Sequence, residues 1–305
     1  MKADRPSATA RVVAAAVLIA TYRKRAVKPS PDTVKMARNV FGSTRRDRLF
    51  LRTIDSRIGR VFWSIFERLT IPGFVRHIAG RKAWINHVCE RSVERGFTRV
   101  VILGAGFDAI GPRLAAAHPA AQVIELDHPS TQRAKTAAVG PDSTHKNLFL
   151  LPVDLEHQRI TTLLAEQAPP HSPDVPTLVL AEGLLMYLTP EQVDRLMDDV
   201  AALTSGPLRF VFTFMSAATL DRINFGRGRS PISAWLRAVG EPFRWGATRP
   251  GVQEMLARRG LRVLAFRGGR RQARPGQDAH GEHFVLAERA PGANSGHEQI
   301  PSLTP

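Results

Sequence analysis

The chain has 305 residues, 43% of them hydrophobic and 23% charged, which excludes wholesale disorder and collagen-like or low-complexity architectures. Lys and Arg number 43 against 27 Asp and Glu, a net charge of +16. The single cysteine, Cys89, excludes an intramolecular disulfide and a cysteine-built zinc cluster, and it points to a reducing, cytoplasmic setting.

The charge is concentrated at the start. Residues 1–100 hold 22 Lys and Arg against 7 Asp and Glu. Such a segment suits an anionic acceptor, an anionic membrane surface or a nucleic acid, or reflects compositional bias. The first apolar run, VVAAAVLIA at 12–20, has nine residues, where a bilayer span needs about 20. Its basic right flank, Thr21-Tyr22-Arg23-Lys24-Arg25, makes a poor signal-peptide cleavage region. A buried, alanine-rich helix is the expectation, and no transmembrane segment is expected anywhere.

Helical patterning continues from residue 8 to 96. Ile54, Ile58, Val61, Phe62 and Ile65 recur at helical spacing, with Arg57, Arg60 and Arg68 between them. That predicts one helix with a basic face, between breaks at Pro29-Ser30-Pro31 and Ile71-Pro72-Gly73. A further helix over 75–95 ends at Gly96.

After Gly96, short apolar runs alternate with helical stretches. Strands are predicted at 99–103, 122–126, 148–153, 177–181, 208–214, 261–266 and 283–287. The first five read as a parallel α/β sheet with helices on both faces. The last two, around a Gly- and Arg-rich loop, read as an antiparallel hairpin at the sheet edge. Gly104-Ala105-Gly106-Phe107-Asp108-Ala109 follows the first strand, where the backbone must turn and approach a ligand without a Cβ. Alone this loop also fits a dehydrogenase fingerprint. The second strand ends in Glu125-Leu126-Asp127-His128-Pro129, placing a carboxylate where ribose hydroxyls can donate to it. The third ends in Val153-Asp154-Leu155, an adenine-binding pair or a helix N-cap. These features imply an adenosine cofactor without choosing among several.

The stretch after the fourth strand, LVLAEGLLMYLTPEQ at 178–192, resembles the signature of the leucine carboxyl methyltransferase family. LGAGFD at 103–108, ELDHP at 125–129, VDL at 153–155 and GEPFRWG at 240–246 extend the likeness over about residues 75–290, and PSATA at 6–10 resembles bacterial members. The resemblance implies a class I methyltransferase fold: a Rossmann-like seven-stranded sheet with a terminal antiparallel hairpin, under an N-terminal helical lid. It implies S-adenosylmethionine as cofactor. Its cofactor residues would be Arg81 for the methionine carboxylate, Gly104, Gly106 and Asp108 of the loop, Asp127 with Glu125 at the ribose, Asp154 and Leu155 at the adenine, and Glu182 after the fourth strand. Tyr187 is the candidate for orienting the acceptor, with packing at a helix start as the competing role. The lysine used by eukaryotic protein-methylating members has no counterpart here, which favours a small-molecule acceptor.

The implied reaction is O-methylation of a carboxylate or hydroxyl. A carboxylate needs no general base; a phenol or alcohol benefits from one. A basic lid would favour an anionic acceptor, and Arg57 and Arg60 would then influence its binding. The expected parts are a lid segment at 1–96, a cofactor core at 97–290 and a disordered tail at 291–305. A nicotinamide-dependent oxidoreductase is the first alternative, and it leaves the 178–192 stretch unexplained. The second is a basic nucleic-acid-binding protein with a degenerate cofactor site. Two Tyr, four Trp and no recognisable nucleic-acid motif count against it. No metal is expected: His280 and His283, with Asp278 nearby, have helical ligand spacing but fall at a predicted edge strand, where residues three apart face opposite ways.

Overall fold

Seven strands form one sheet in the order β3-β2-β1-β4-β5-β7-β6. The structure, a computed structural model, describes residues 6–24, 26–42, 44–139, 145–218, 231–268 and 281–289. The strands are β1 (Arg99–Leu103), β2 (Gln122–Asp127), β3 (Leu148–Pro152), β4 (Thr177–Ala181), β5 (Leu208–Met215), β6 (Arg262–Arg267) and β7 (Glu282–Arg289). The first five are mutually parallel. β7 runs antiparallel to both β5 and β6. The terminal hairpin is therefore as expected, but β7 is an inner strand and only β6 forms the edge. β1 and β4 are buried at every position. Their unbroken apolar runs follow from that, since helices cover both faces.

Five helices precede the sheet: α1 (Ala8–Ala20), α2 (Pro31–Val40), α3 (Arg45–Asp55), α4 (Arg57–Thr70) and α5 (Phe74–Glu94). The run at 12–20 is the buried helix expected of it. Ser7 caps α1 by accepting from the Ala10 N–H, and Ser30 with Pro31 starts α2. Gly96 ends the α5 segment with φ 92°. α5 is shared between two cores. Its start (Val75, Ile78, Ala79) packs with α1 and α2. Its end (Trp84, Ile85, Val88, Cys89, Val93) packs on one face of the sheet.

The predicted helix through Ile54 and Ile65 is instead two. Ser56 ends α3 and caps α4, its hydroxyl accepting from the Gly59 N–H at 2.9 Å. The corner closes because Gly59 has no side chain: a Cβ there would lie 1.9 Å from the Thr53 carbonyl oxygen. Gly59→Ala is therefore expected to open the α3–α4 corner at a cost of about 1–3 kcal/mol, read as a lowered melting temperature by circular dichroism. An unchanged melting temperature would show that the corner yields freely.

The remaining helices connect the strands: α6 (Ile110–Ala117), α7 (Pro129–Val139), α8 (Ile160–Gln167), α9 (Pro190–Ala202), α10 (Pro231–Val239) and α11 (Arg249–Ala257), with a 3₁₀ turn at Leu185–Tyr187. No helix among the described residues is long and apolar enough to cross a membrane. From β1 the sheet runs one way to β2 and β3; from β4 it runs the other way to β5. The carboxyl ends of β1 and β4 thus flank the point where strand order reverses, where open α/β sheets bind ligands.

Candidate active site

A cavity of about 880 Å³ opens over those strand ends, within the range of small-molecule sites. Gly104 and Gly106 leave β1 with φ 64° and 52°. A Cβ on Gly104 would press on Leu184 at 3.0 Å, so the turn needs glycine on both counts. At the end of β2, the Asp127 carboxylate accepts from the Gly106 N–H at 2.5 Å and the His128 N–H at 2.6 Å. Burial raises its pKa despite those two donors. Asp154 and Leu155 follow β3 on the same wall. Partial burial pushes the Asp154 carboxyl up, but His157 and the Glu156 N–H outweigh it and hold it low.

The floor is a buried ionic cluster. Arg81 Nε lies 2.7 Å from Glu182 Oε1, and Arg81 Nη1 is 3.0 Å from Glu282 Oε1. His77 Nε2 is 2.6 Å from Glu282 Oε2. Lys82 pairs with Asp108, and with Glu182 at 2.8 Å. Burial alone would make these charges unfavourable. Their mutual attraction outweighs it: Arg81 and Lys82 are raised, Asp108 and Glu282 lowered. Arg81 Nε and Glu182 Oε1 are nevertheless misaligned, and neither makes a hydrogen bond. The floor therefore holds a buried guanidinium and a buried carboxylate side by side, ion-paired but not hydrogen-bonded through these two atoms.

The apolar part of the lining is formed by Val13 and Val17 of α1, Phe66 of α4, Phe74 of α5, Trp235 of α10 and Phe243. Tyr187 meets Phe243 edge-on at 5.3 Å and shares a hydrogen bond with Thr9. Burial raises its hydroxyl pKa, with Glu241 adding to the rise, so the phenol stays protonated at neutral pH. Glu241 ties the start of α1 to the loop before α11. It accepts from the Ala8 N–H at 2.9 Å, the Thr9 N–H at 3.0 Å and the Thr9 hydroxyl.

Of the ten residues expected at the site, nine line this one cavity: Arg81, Gly104, Gly106, Asp108, Asp127, Asp154, Leu155, Glu182 and Tyr187. Glu125 does not. It sits two residues deeper in β2, about 6–7 Å by strand rise, fully buried against Lys135 at 2.7 Å. Gly111 of α6 closes over it; a Cβ there would stand 2.1 Å from Glu125 Oε1. Glu125 thus ties α7 to β2 beneath the site. Arg57 and Arg60 also lie outside the cavity lining. Arg60 donates to the Ile54 and Asp55 carbonyls and stacks on Tyr22. His283 stacks on Phe214 inside the sheet, while His280, Asp278 and the tail at 291–305 fall outside the described residues. Sequence reasoning missed Lys82, Glu282, His77 and Glu241. Glu241 was within reach, since it joins two stretches that carried the resemblance, PSATA and GEPFRWG.

A model of the family described as leucine carboxyl methyltransferase matches residues 22–201. A protein of Mycolicibacterium vanbaalenii, named as a proposed S-adenosyl-L-methionine-dependent methyltransferase, is 33% identical over 204 residues. That match spans 63% of this chain and 63% of its relative. A Mycolicibacterium smegmatis protein of the same description is 29% identical over 265 residues, 84% of this chain and 82% of its own length. Among solved structures, a proposed methyltransferase of Thermobifida fusca superposes with a TM-score of 0.52 at 14% identity, over 84% of this chain and 94% of that one; it shares the fold. The family's model covers more than half of the sequence, and the chain belongs to the leucine carboxyl methyltransferase family.

Proposed function

We propose that this protein is an S-adenosylmethionine-dependent O-methyltransferase acting on a small molecule with an apolar body and a carboxylate or hydroxyl as acceptor. The observation that carries the reading is the buried Arg81–Glu182 ion pair, which lines one cavity with the Gly104 turn and Asp127. These residues fit the cofactor: Arg81 would hold its carboxylate, Glu182 its ammonium, Asp127 its ribose hydroxyls, and Asp154 with Leu155 its adenine. Gly104 and Gly106 leave room for close approach. When bound, the cofactor supplies a methyl group already activated on a sulfonium.

The chain's own part is positioning, which can lower a barrier by about 7–11 kcal/mol. Tyr187, kept protonated, cannot serve as a base, and its O–H could donate to an acceptor oxygen by turning away from Thr9. Glu241 is held by several donors, His128 Nδ1 sits 2.8 Å from the Ser130 hydroxyl and His157 Nδ1 is 3.0 Å from Asp154. Both imidazoles are held at Nδ1, the arrangement that orients Nε2 as a base, so the site suits an alcohol acceptor as well as a carboxylate. Residues 1–96 would act as the lid, α1 and the end of α4 shielding the reacting atoms from water. The nicotinamide alternative has nothing comparable in its favour, because the family match includes residues 178–192.

Calorimetric titration with S-adenosylmethionine, S-adenosylhomocysteine and NAD tests the reading. Binding of both sulfur compounds without NAD is expected. Binding of neither, or of NAD alone, would overturn it.

A further inference from the structure

The face of α4 away from the protein is unusual. Ile58, Val61, Phe62, Ile65, Phe66 and Leu69 form one stripe at three- and four-residue spacing, and all six are exposed, Ile58 at 85% and Leu69 at 80%. The helix is held from behind. Gly59 packs on Thr53, Trp63 meets Phe50 edge-on at 5.3 Å, and Glu67 accepts from the Val75 N–H at 3.0 Å. The stripe is thus a fixed surface rather than a core half out of place, and a continuous exposed apolar patch marks an interaction site.

Charge decides what fits it. Residues 45–70 contain seven arginines and three acids. Each acid is consumed internally: Asp47 pairs with Arg11, Asp55 with Arg38, and Glu67 with Arg23. Arg45, Arg46, Arg48, Arg52, Arg57 and Arg68 are all exposed. On the α4 wheel Arg57 and Arg68 border the stripe along one edge, and Leu49 of α3, 62% exposed, adds to the apolar area. An apolar stripe edged by cations is the signature of a helix lying in a membrane interface. A two-fold copy would set this arginine-edged patch against itself, and a nucleic acid would leave the apolar stripe unused.

We propose that the α3–α4 surface docks on an anionic lipid bilayer, with the α4 stripe inserted at the headgroup boundary and the flanking arginines on lipid phosphates. Phe66 belongs to both the stripe and the cavity wall, so docking brings the apolar side of the cavity to the bilayer. On the methyltransferase reading above, the acceptor is then an amphiphile that partitions into lipid. Docking itself needs no cofactor, so it stands or falls separately from that reading.

The test is co-sedimentation of the full chain with vesicles of phosphatidylglycerol and phosphatidylcholine in equal parts, and of phosphatidylcholine alone. The chain should pellet with the mixed vesicles at low salt, and much less at high salt or without phosphatidylglycerol. Ile58→Glu/Leu69→Glu, placed at the most exposed positions, should weaken binding at least about 100-fold. Arg57→Gln/Arg68→Gln should weaken it about 30-fold. Both should keep the wild-type melting temperature and S-adenosylhomocysteine titration. The proposal is overturned if the wild type ignores anionic vesicles or if both variants bind like wild type. It is also overturned by a wild-type dimer that Ile58→Glu/Leu69→Glu dissociates in sedimentation velocity, or by retention on duplex DNA without vesicle binding.

Discussion

Asp127→Asn is expected to raise the dissociation constant for S-adenosylhomocysteine about 100-fold while leaving the fold intact. A hydrogen bond to an ionised acceptor contributes about 1.5–3 kcal/mol, and a ribose diol can make two. Asparagine keeps one acceptor oxygen, which the Gly106 N–H already claims in the native turn, and offers a donor where the second oxygen stood. A loss near 3 kcal/mol follows, about two decades in affinity. Two opposed effects act on stability. Burial raises the Asp127 carboxyl against the pull of the Gly106 and His128 N–H groups, so folding disfavours its ionised form. That cost is absent below the ordinary carboxylate range and grows as pH rises through the raised value. The neutral amide never bears it, but its NH2 must face either the Gly106 or the His128 N–H, a lost hydrogen bond of about 1–3 kcal/mol, so at pH 7 the ligand-free variant should melt a few degrees below wild type. Wild-type affinity should also fall as pH is lowered into the raised range of Asp127, a trend the variant lacks there. Calorimetry at several pH values, beside thermal melts, separates these effects. A change in affinity of less than threefold would remove Asp127 from the ribose.

The same local logic explains which parts were readable in advance. β1 and β4 were placed to the residue because a strand buried on both faces must be a short apolar run between turn formers. The apolar spacing through residues 54–65 looked continuous, yet Ile54 is buried and Ile58 exposed. Periodicity reports a shared face and cannot say whether anything covers it. The break lay in Ser56 and Gly59, a cap and a missing Cβ within the pattern. The local pattern makes β7 an edge because hairpin partners are adjacent in sequence, whereas its insertion beside β5 is a long-range pairing with no local signature. Glu282 was hidden in the same way. It falls between His280 and His283, while its partner, Arg81, lies 201 residues earlier. Glu125 and Asp127 share a motif and one face of β2, but only the residue at the strand end escapes the helices above.

That long-range pair makes the largest stability prediction. Arg81→Ala should lower the melting temperature by roughly 10 °C. Removing one partner of a buried ion pair costs about 3–5 kcal/mol because the other charge is left uncompensated, and a chain of this size loses about 2–4 °C per kcal/mol. Here two carboxylates are affected. Glu182 keeps Lys82 at 2.8 Å, whereas Glu282 keeps His77 and a hydrogen bond with Thr213. The pH dependence should change with it. Burial would raise Glu282, but Arg81 and then His77 outweigh that and hold it well below the carboxylate range. Its contribution is therefore complete at neutral pH and fades only as pH falls below the unfolded value toward the depressed one. Without Arg81 the depression is largely lost, so acid unfolding should begin at higher pH than in wild type. Arg81→Met/Glu282→Leu removes both charges and should recover most of the melting temperature, since Lys82 still balances Glu182. It should not recover S-adenosylhomocysteine binding, because the donor for the cofactor carboxylate is gone. Melts of the three proteins at pH 7 and in mild acid decide the matter. An Arg81→Ala variant as stable as wild type would mean the cluster contributes little to folding. A double variant that binds like wild type would mean that Arg81 has no part in holding the cofactor.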